Sequence, residues 1–213
     1  MELRAFTVNP FQENTYLVWD AATRLAALVD PGMAHPDEEQ AIADVLDAQG
    51  LTLRHVWLTH AHIDHVLGCG WAYARYGLAP WLHPDDLPLY RAVPQQAQMF
   101  GVPCGPLPEP AGVFDASKPL ELGETTLELR HCPGHAPGHL VFIDHAAAQV
   151  LVGDVVFEGS IGRTDLPGGD YPTLLRSIHT QLLTLPDSYA LYPGHMSATT
   201  VGRERRSNPF LQG

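Results

Sequence analysis

Basic residues are scarce: 12 Lys+Arg stand against 24 Asp+Glu in 213 residues, a formal charge of −12 with histidine neutral. A chain so poor in cations lacks the footprint that neutralises phosphates, which argues against nucleic acid or an anionic membrane as the main partner. Long apolar runs are missing too, and none approaches the roughly 18 residues of a membrane span. The opening Met1-Glu2-Leu3-Arg4-Ala5-Phe6 is not a basic region followed by an apolar one, so no export signal is expected. Cysteine is limited to Cys69, Cys104 and Cys132, with no CxxC. An odd, scattered set suits a reducing compartment better than a disulfide framework, and a cytoplasmic protein is the expectation. No linker or low-complexity stretch interrupts the chain. One compact α/β domain over 1–213 is expected, long enough to bury a substantial core.

Histidine is what the composition holds in excess, with 12 residues. The elements around them read as follows. Leu3–Val8, Thr15–Trp19 and Leu25–Val29 are short β-rich runs separated by Asn9-Pro10 and Asp20-Ala21-Ala22. Asp30-Pro31-Gly32 ends the third. Carboxylates at Asp37, Glu38 and Glu39 favour a helix start, Ile42, Val45 and Leu46 form its apolar stripe, and Gly50 stops it. A strand is expected at His55–Thr59, a helix at Val66–Tyr76 and a short strand at Trp81–His83. The proline-rich stretch 84–110 reads as a loop with one short helix before Met99-Phe100-Gly101. Strands resume at Thr125–His131, Leu140–Ile143, Val150–Val152 and Tyr189–Tyr192. Gly159–Asp170 reads as a loop, Thr173–Leu185 as a helix and Thr200–Ser207 as a short final helix.

Chemistry gathers where these strands end. Thr59-His60-Ala61-His62-Ile63-Asp64-His65 follows an apolar strand. On a helix, His60 and His62 would point to nearly opposite sides, whereas a turn leaving a strand lets all four polar side chains converge. Three more motifs also follow strands: Cys132-Pro133-Gly134-His135, Gly153-Asp154 and Pro193-Gly194-His195. Imidazole and carboxylate donors suit zinc, iron or manganese. Seven such groups exceed one tetrahedral ion but match two ions about 3.5–4 Å apart with a bridging carboxylate. Any one of these histidines alone would be as well explained by a hydrogen-bonded core residue; four motifs at four strand ends would not.

These residues resemble the metallo-β-lactamase superfamily, marked by HxHxDH with distant His, Asp and His ligands, and within it the short glyoxalase II-like hydrolases. The likeness extends over Asn9-Pro10-Phe11-Gln12-Glu13-Asn14, Gln98-Met99-Phe100-Gly101, His131–His135, Gly162-Arg163-Thr164-Asp165, Gly202-Arg203-Glu204-Arg205 and Asn208-Pro209-Phe210. It implies an αββα sandwich, two mixed β-sheets face to face with helices outside and metals at one edge. Carried over residue by residue, His60, His62 and His135 hold one ion, Asp64, His65 and His195 the other, and Asp154 bridges them. The implied cofactor is two divalent ions, zinc first, with iron or manganese as substitutes. The implied substrate is a small-molecule thioester linked to glutathione. Long-form glyoxalase II carries a C-terminal helical domain that has no counterpart before Gly213. Its Lys and Tyr after the bridging Asp are Arg163 and Asp165 here. Arg163 is expected to hold a substrate carboxylate.

Two ions sharing a water lower its pKa toward neutrality, and Asp64 is expected to orient that water as well as bind metal. A thiol near pKa 8.5 leaves as thiolate without a general acid, so a thioester suits this motif set better than an amide. The expected reaction is cleavage of S-D-lactoylglutathione to D-lactate and glutathione. The alternative is an iron-dependent persulfide dioxygenase using one ion on the residues matching His60, His135 and Asp154; its Gly-Arg-Thr-Asp loop is matched as well. A non-enzymatic relative would be expected to have lost ligands. Elsewhere, the cysteines are expected to pack as small apolar residues. His139 is expected to be either a partner of a ligand or a structural histidine. Arg203, Arg205 and Arg206 are expected to form a solvated helix face, Glu204 and Asn208 to lock the C-terminus, and Phe100 to pack in the core.

Overall fold

The computed structural model describes residues 1–212. Six strands build the first sheet: β1 (Glu2–Val8), β2 (Glu13–Trp19), β3 (Leu25–Val29), β4 (Thr52–Trp57), β5 (Pro80–Leu82) and β6 (Gly112–Val113), side by side in that order. The first three pair antiparallel and the rest parallel. The second sheet takes β7 (Leu120–Leu122), β8 (Thr125–His131), β9 (Leu140–Asp144) and β10 (Gln149–Gly153). A ribbon of β11 (Val156–Phe157) and β12 (Ser160–Ile161) follows, and then β13 (Ala190–Pro193) and β14 (Thr199–Thr200) complete it, in the order β14-β13-β10-β9-β8-β7. Both sheets are mixed, since β10 and β13 run parallel among antiparallel neighbours.

Side-chain alternation explains the layering. In β2 and β3, Tyr16, Val18, Ala27 and Val29 face Leu127, Leu129, Leu140, Phe142 and Leu151 of the second sheet, forming the inner core. Their neighbours Leu17, Ala26 and Leu28 face outward onto Ile42, Val45 and Leu46 of α1 (Pro36–Gln49). Strands buried on both faces read as continuous apolar runs, as these do. On the far side, Val141, Ile143, Val150 and Val152 pack under Leu174 of α4 (Tyr171–Ser177) and under Ile178 and Leu182 of its π-helical extension Ile178–Leu182. Helices thus cover both outer faces, the expected αββα sandwich.

The expected loop over 84–110 is instead largely helical. After α2 (Cys69–Tyr76), the 14-residue α3 spans Leu87–Phe100, despite Pro94 inside it. Pro88 sits in the first turn, where no hydrogen bond is lost, and Tyr90, Val93 and Ala97 recur at helical spacing to bury one face. Tertiary burial here outweighs the proline signal. The expected loop Gly159–Asp170 likewise contains β12. The short α5 (Val201–Ser207) starts at Thr200, whose hydroxyl accepts from the Arg203 amide. Among the described residues, no helix is long and apolar enough to cross a membrane.

Candidate metal centre

β4, β8, β10 and β13 each leave their sheet just before a motif residue, and the turns that follow converge at one edge. The ligand atoms of His60, His62 and His135 lie within 4.8 Å of one another, as do those of Asp64, His65 and His195. Asp154 stands between the clusters, with one oxygen 3.5 Å from His65 Nε2 and the other 3.5 Å from His135 Nε2 and 3.6 Å from His195 Nε2. All seven expected ligands are therefore brought together.

The outward nitrogens show which way the rings carry their protons. His135 Nδ1 faces the Arg163 carbonyl (2.8 Å) and His195 Nδ1 the Gln12 carbonyl (3.2 Å). A carbonyl only accepts, so both rings are protonated at Nδ1; His135 then turns a bare Nε2 inward, whereas His195 Nε2 donates to Asp64 Oδ2 (3.0 Å), a place a metal ion would take from that proton. Thr59 donates its hydroxyl to Asp30 (2.6 Å), so it accepts from His60 Nδ1 (3.0 Å). Asp30 also accepts from His65 Nδ1 (3.2 Å). For His60 and His135 the lone pairs are turned inward, with His60 Nε2 3.3 Å from His135 Nε2, and His62 Nδ1 lies 2.8 Å from the same atom. Inner lone pairs in such close approach repel unless a cation sits among them. Buried His65 Nε2 and Asp154 Oδ1 also lack any hydrogen-bond partner. The donor set fits divalent metal, with its outer hydrogen bonds already in place.

Electrostatics divide the site. Burial, reinforced by neighbouring imidazoles, pushes His60 well below the usual histidine range, and burial brings His62 to about 3 and lowers His135. Burial also opposes charge on His65 and His195, yet Asp64 and Asp154 hold both above the ordinary value. Against its own desolvation, Asp154 is kept ionised by His65, His135 and His195. One cluster is a nest of neutral imidazoles; the other carries negative carboxylates that draw positive charge.

Two glycines in the Pro-Gly-His motifs make this closeness feasible. A Cβ on Gly194 would lie 2.3 Å from Asp154 Oδ1, and one on Gly134, at φ +128°, 2.2 Å from the Leu174 amide.

Several supporting residues escape a motif reading. Asp30, at the end of β3, accepts from the Thr59 amide and hydroxyl and from His65. Its signal was an acid directly after an apolar strand ending at the same edge. Glu13 is fully buried 3.7 Å from His65 Nδ1, and burial pushes its carboxyl well above the usual range. Asp86, just ahead of α3, accepts from the Ala61 amide (2.9 Å) and the Gly138 amide (2.6 Å), tying the HxHxDH turn to the His135 loop. His139 is fully buried, accepts from the Asp154 amide at Nε2 (3.0 Å) and stacks 4.6 Å from His60.

Other side chains serve the scaffold. Cys132 is buried, and burial raises its thiol pKa, as expected for an apolar filler. Glu204 accepts from Thr199, the Gly159 amide and Asn208, locking the C-terminal segment. The arginines of α5 are not merely solvated: Arg203 pairs with Glu158 (2.6 Å), Arg205 and Arg206 with Asp187, and Arg205 also donates to the Leu183 and Leu185 carbonyls. Phe100 is 61% exposed rather than in the core, since it follows the buried face of α3 and meets only Phe11 edge-on. Arg163 offers its carbonyl to His135, while its exposed guanidinium is bidentate to Asp165 at 2.7 Å and outside the ligand cluster.

Comparisons with known proteins agree with this geometry. The family model described as "Metallo-beta-lactamase superfamily" matches residues 8–195. Hydroxyacylglutathione hydrolase GloC of Haemophilus influenzae is 40% identical over 213 residues, covering 99% of this chain and 98% of its own. Among solved structures, BLEG-1 B3 metallo-beta-lactamase is 32% identical with a TM-score of 0.87, both chains fully covered. TTHA1623 in a di-iron-bound form is 38% identical with a TM-score of 0.87, covering 98% of this chain and all of its own. ETHE1 from Myxococcus xanthus is 26% identical with a TM-score of 0.78, covering 98% and 84%.

Proposed function

The chain belongs to the metallo-β-lactamase superfamily, and from that premise we propose that it is a thioester hydrolase of the hydroxyacylglutathione type, with S-D-lactoylglutathione as reference substrate. The observation carrying this reading is the double cluster, His60/His62/His135 and Asp64/His65/His195, with Asp154 between. GloC adds weight as a hydroxyacylglutathione hydrolase matched over nearly its whole length. His60, His62 and His135 would hold one divalent ion, and Asp64, His65 and His195 the second, with zinc first and iron or manganese as substitutes. When bound, such ions supply Lewis acidity and a water of lowered pKa.

The chain's own groups do the rest. Asp64, with Oδ2 3.0 Å from His195 Nε2, is placed to orient the attacking water. Water gives up a proton to the Asp64 carboxylate and on to solvent as its oxygen adds to the thioester carbonyl carbon; the C–S bond then breaks and sulfur leaves with the electron pair as thiolate. With metal held, the inner ring nitrogens and carboxylates would be occupied as ligands and offer no acid, a set that suits a thiolate leaving unaided better than an amine. Arg163, on the loop that orients His135, would receive a substrate carboxylate by exchanging it for Asp165. A cytoplasmic location fits glutathione as the carrier.

The second reading is a persulfide dioxygenase with one iron on His60, His135 and Asp154, supported by the likeness to ETHE1. One experiment separates the two: metal-loaded protein is assayed for thiol release from S-D-lactoylglutathione while bound metal is counted. Turnover abolished by chelator with two ions per chain is expected. One iron, no thiol release and oxygen uptake with glutathione persulfide would replace the first reading with the second.

A further inference from the structure

The two clusters carry different rims. Arg163 belongs to the His135 side, whereas the Asn9–Gln12 turn lies against the other cluster: Asn9 Nδ2 donates to the Asp64 carbonyl (2.9 Å) and the Gln12 carbonyl receives His195 Nδ1 (3.2 Å). Phe11 sits between those contacts, 36% exposed, and its ring meets Phe100 edge-on with centroids 6.0 Å apart. Because Asn9 and Gln12 on either side of Phe11 touch Asp64 and His195, the Phe11–Phe100 pair borders the centre. Met196, directly after His195, is 58% exposed and held at φ +67°, a left-handed conformation unfavourable for a side-chain-bearing residue. Asn14 Nδ2 fixes it there by donating to its carbonyl (2.9 Å).

Exposed aromatic and thioether groups gathered beside a polar catalytic edge need an apolar occupant to leave water. On this rim the Asn9 amide, the Gln12 carbonyl and the His195 ring are already engaged with Gly32, Asp64 and one another. We propose that Phe11, Phe100 and Met196 form a subsite for the acyl half of the substrate, so that thioesters with a phenyl-bearing 2-hydroxyacyl group are preferred over lactoyl. The assignment rests on the thioesterase reading. A substrate phenyl would meet Phe11 and Phe100 edge to face, with the Met196 sulfur at a ring edge. The carboxylates of the thiol half would then extend toward Arg163.

The test compares kcat/KM for S-D-mandeloylglutathione and S-D-lactoylglutathione in the wild type, Phe11→Ala, Phe100→Ala and Phe100→Leu, with calorimetric affinities for D-mandelate and D-lactate alongside. Both phenylalanines are exposed enough that their truncation leaves folding intact. A preference for mandeloyl of about tenfold is expected in the wild type. It should fall roughly three- to tenfold in either alanine variant, mainly through KM, and recover in part with leucine. A ratio near one that no variant moves would overturn the subsite while leaving the thioesterase intact. If neither thioester is cleaved, the thioesterase reading falls and the acids decide the subsite alone. Mandelate binding tighter than lactate, with Phe100→Ala erasing the difference, would uphold it; equal binding would overturn it.

Discussion

Replacing Asp30 by Asn tests whether a carboxylate outside the ligand set controls the second metal position. Asp30 has φ +50°, a conformation Asn tolerates readily, so the exchange adds no backbone strain. Its two oxygens accept three bonds, from the Thr59 amide (2.7 Å), the Thr59 hydroxyl (2.6 Å) and His65 Nδ1 (3.2 Å). An amide offers only one accepting atom. If that oxygen stays toward His65, the NH2 confronts the buried Thr59 amide, and one unsatisfied N–H costs about 1–3 kcal/mol. If the amide flips, His65 loses the acceptor that fixes its tautomer, and metal affinity at Asp64/His65/His195 should fall roughly 10- to 100-fold. The first case lowers the apo-protein unfolding temperature by roughly 2–10 °C. The second appears as loss of one ion in metal counting under competition from a chelator. A variant with wild-type melting and two ions held at wild-type affinity would refute the reasoning.

Asp154→Ala removes the group between the clusters and should reduce kcat/KM at least roughly 100-fold with fewer ions bound; unchanged turnover would exclude the bridged arrangement. Burial raises the Asp86 carboxyl to about 6, above its unfolded value of 3.8. Its contribution is therefore full below pH 3.8 and lost as pH rises through 6. Urea unfolding of wild type and Asp86→Asn should show wild type losing on the order of 2–3 kcal/mol relative to the variant between pH 4 and pH 7, and parallel curves would contradict this. Glu204→Ala strands the Thr199 hydroxyl and the Asn208 side chain in a buried site, at about 3 kcal/mol, seen as a melting point roughly 6–12 °C lower. A shift under 2 °C would show that Glu204 does not lock the C-terminal segment.

The sequence by itself determined the central strands, because those buried on both faces must be short and apolar throughout and are bounded by turn residues, while the short edge strands and the β11–β12 ribbon were left to the tertiary structure. It also determined the metal chemistry, since an HxHxDH turn and three more donor motifs sit directly after strands, and residues at strand ends share an edge wherever the strands pair. Local pattern could not decide α3, where proline argued for a loop and only burial of Tyr90, Val93 and Ala97 shows why a helix forms. Nor could it assign Phe100, whose hydrophobicity suggested core and whose place past the buried face of α3 leaves it at the rim. Asp30, Glu13 and Asp86 carried no motif that marked them as supports, and His139 was legible only as either a ligand's partner or a structural histidine, for the same reason. Each acts across 15 to 52 residues of chain on a backbone or side-chain atom that comes near only when strands pair within a sheet or, for Asp86 and Gly138, when the two sheets close. Candidate ligands are written in motifs because metal geometry demands particular donors; the partners that orient those donors need only an oxygen or nitrogen at the right point, and tertiary structure alone decides which residue supplies it.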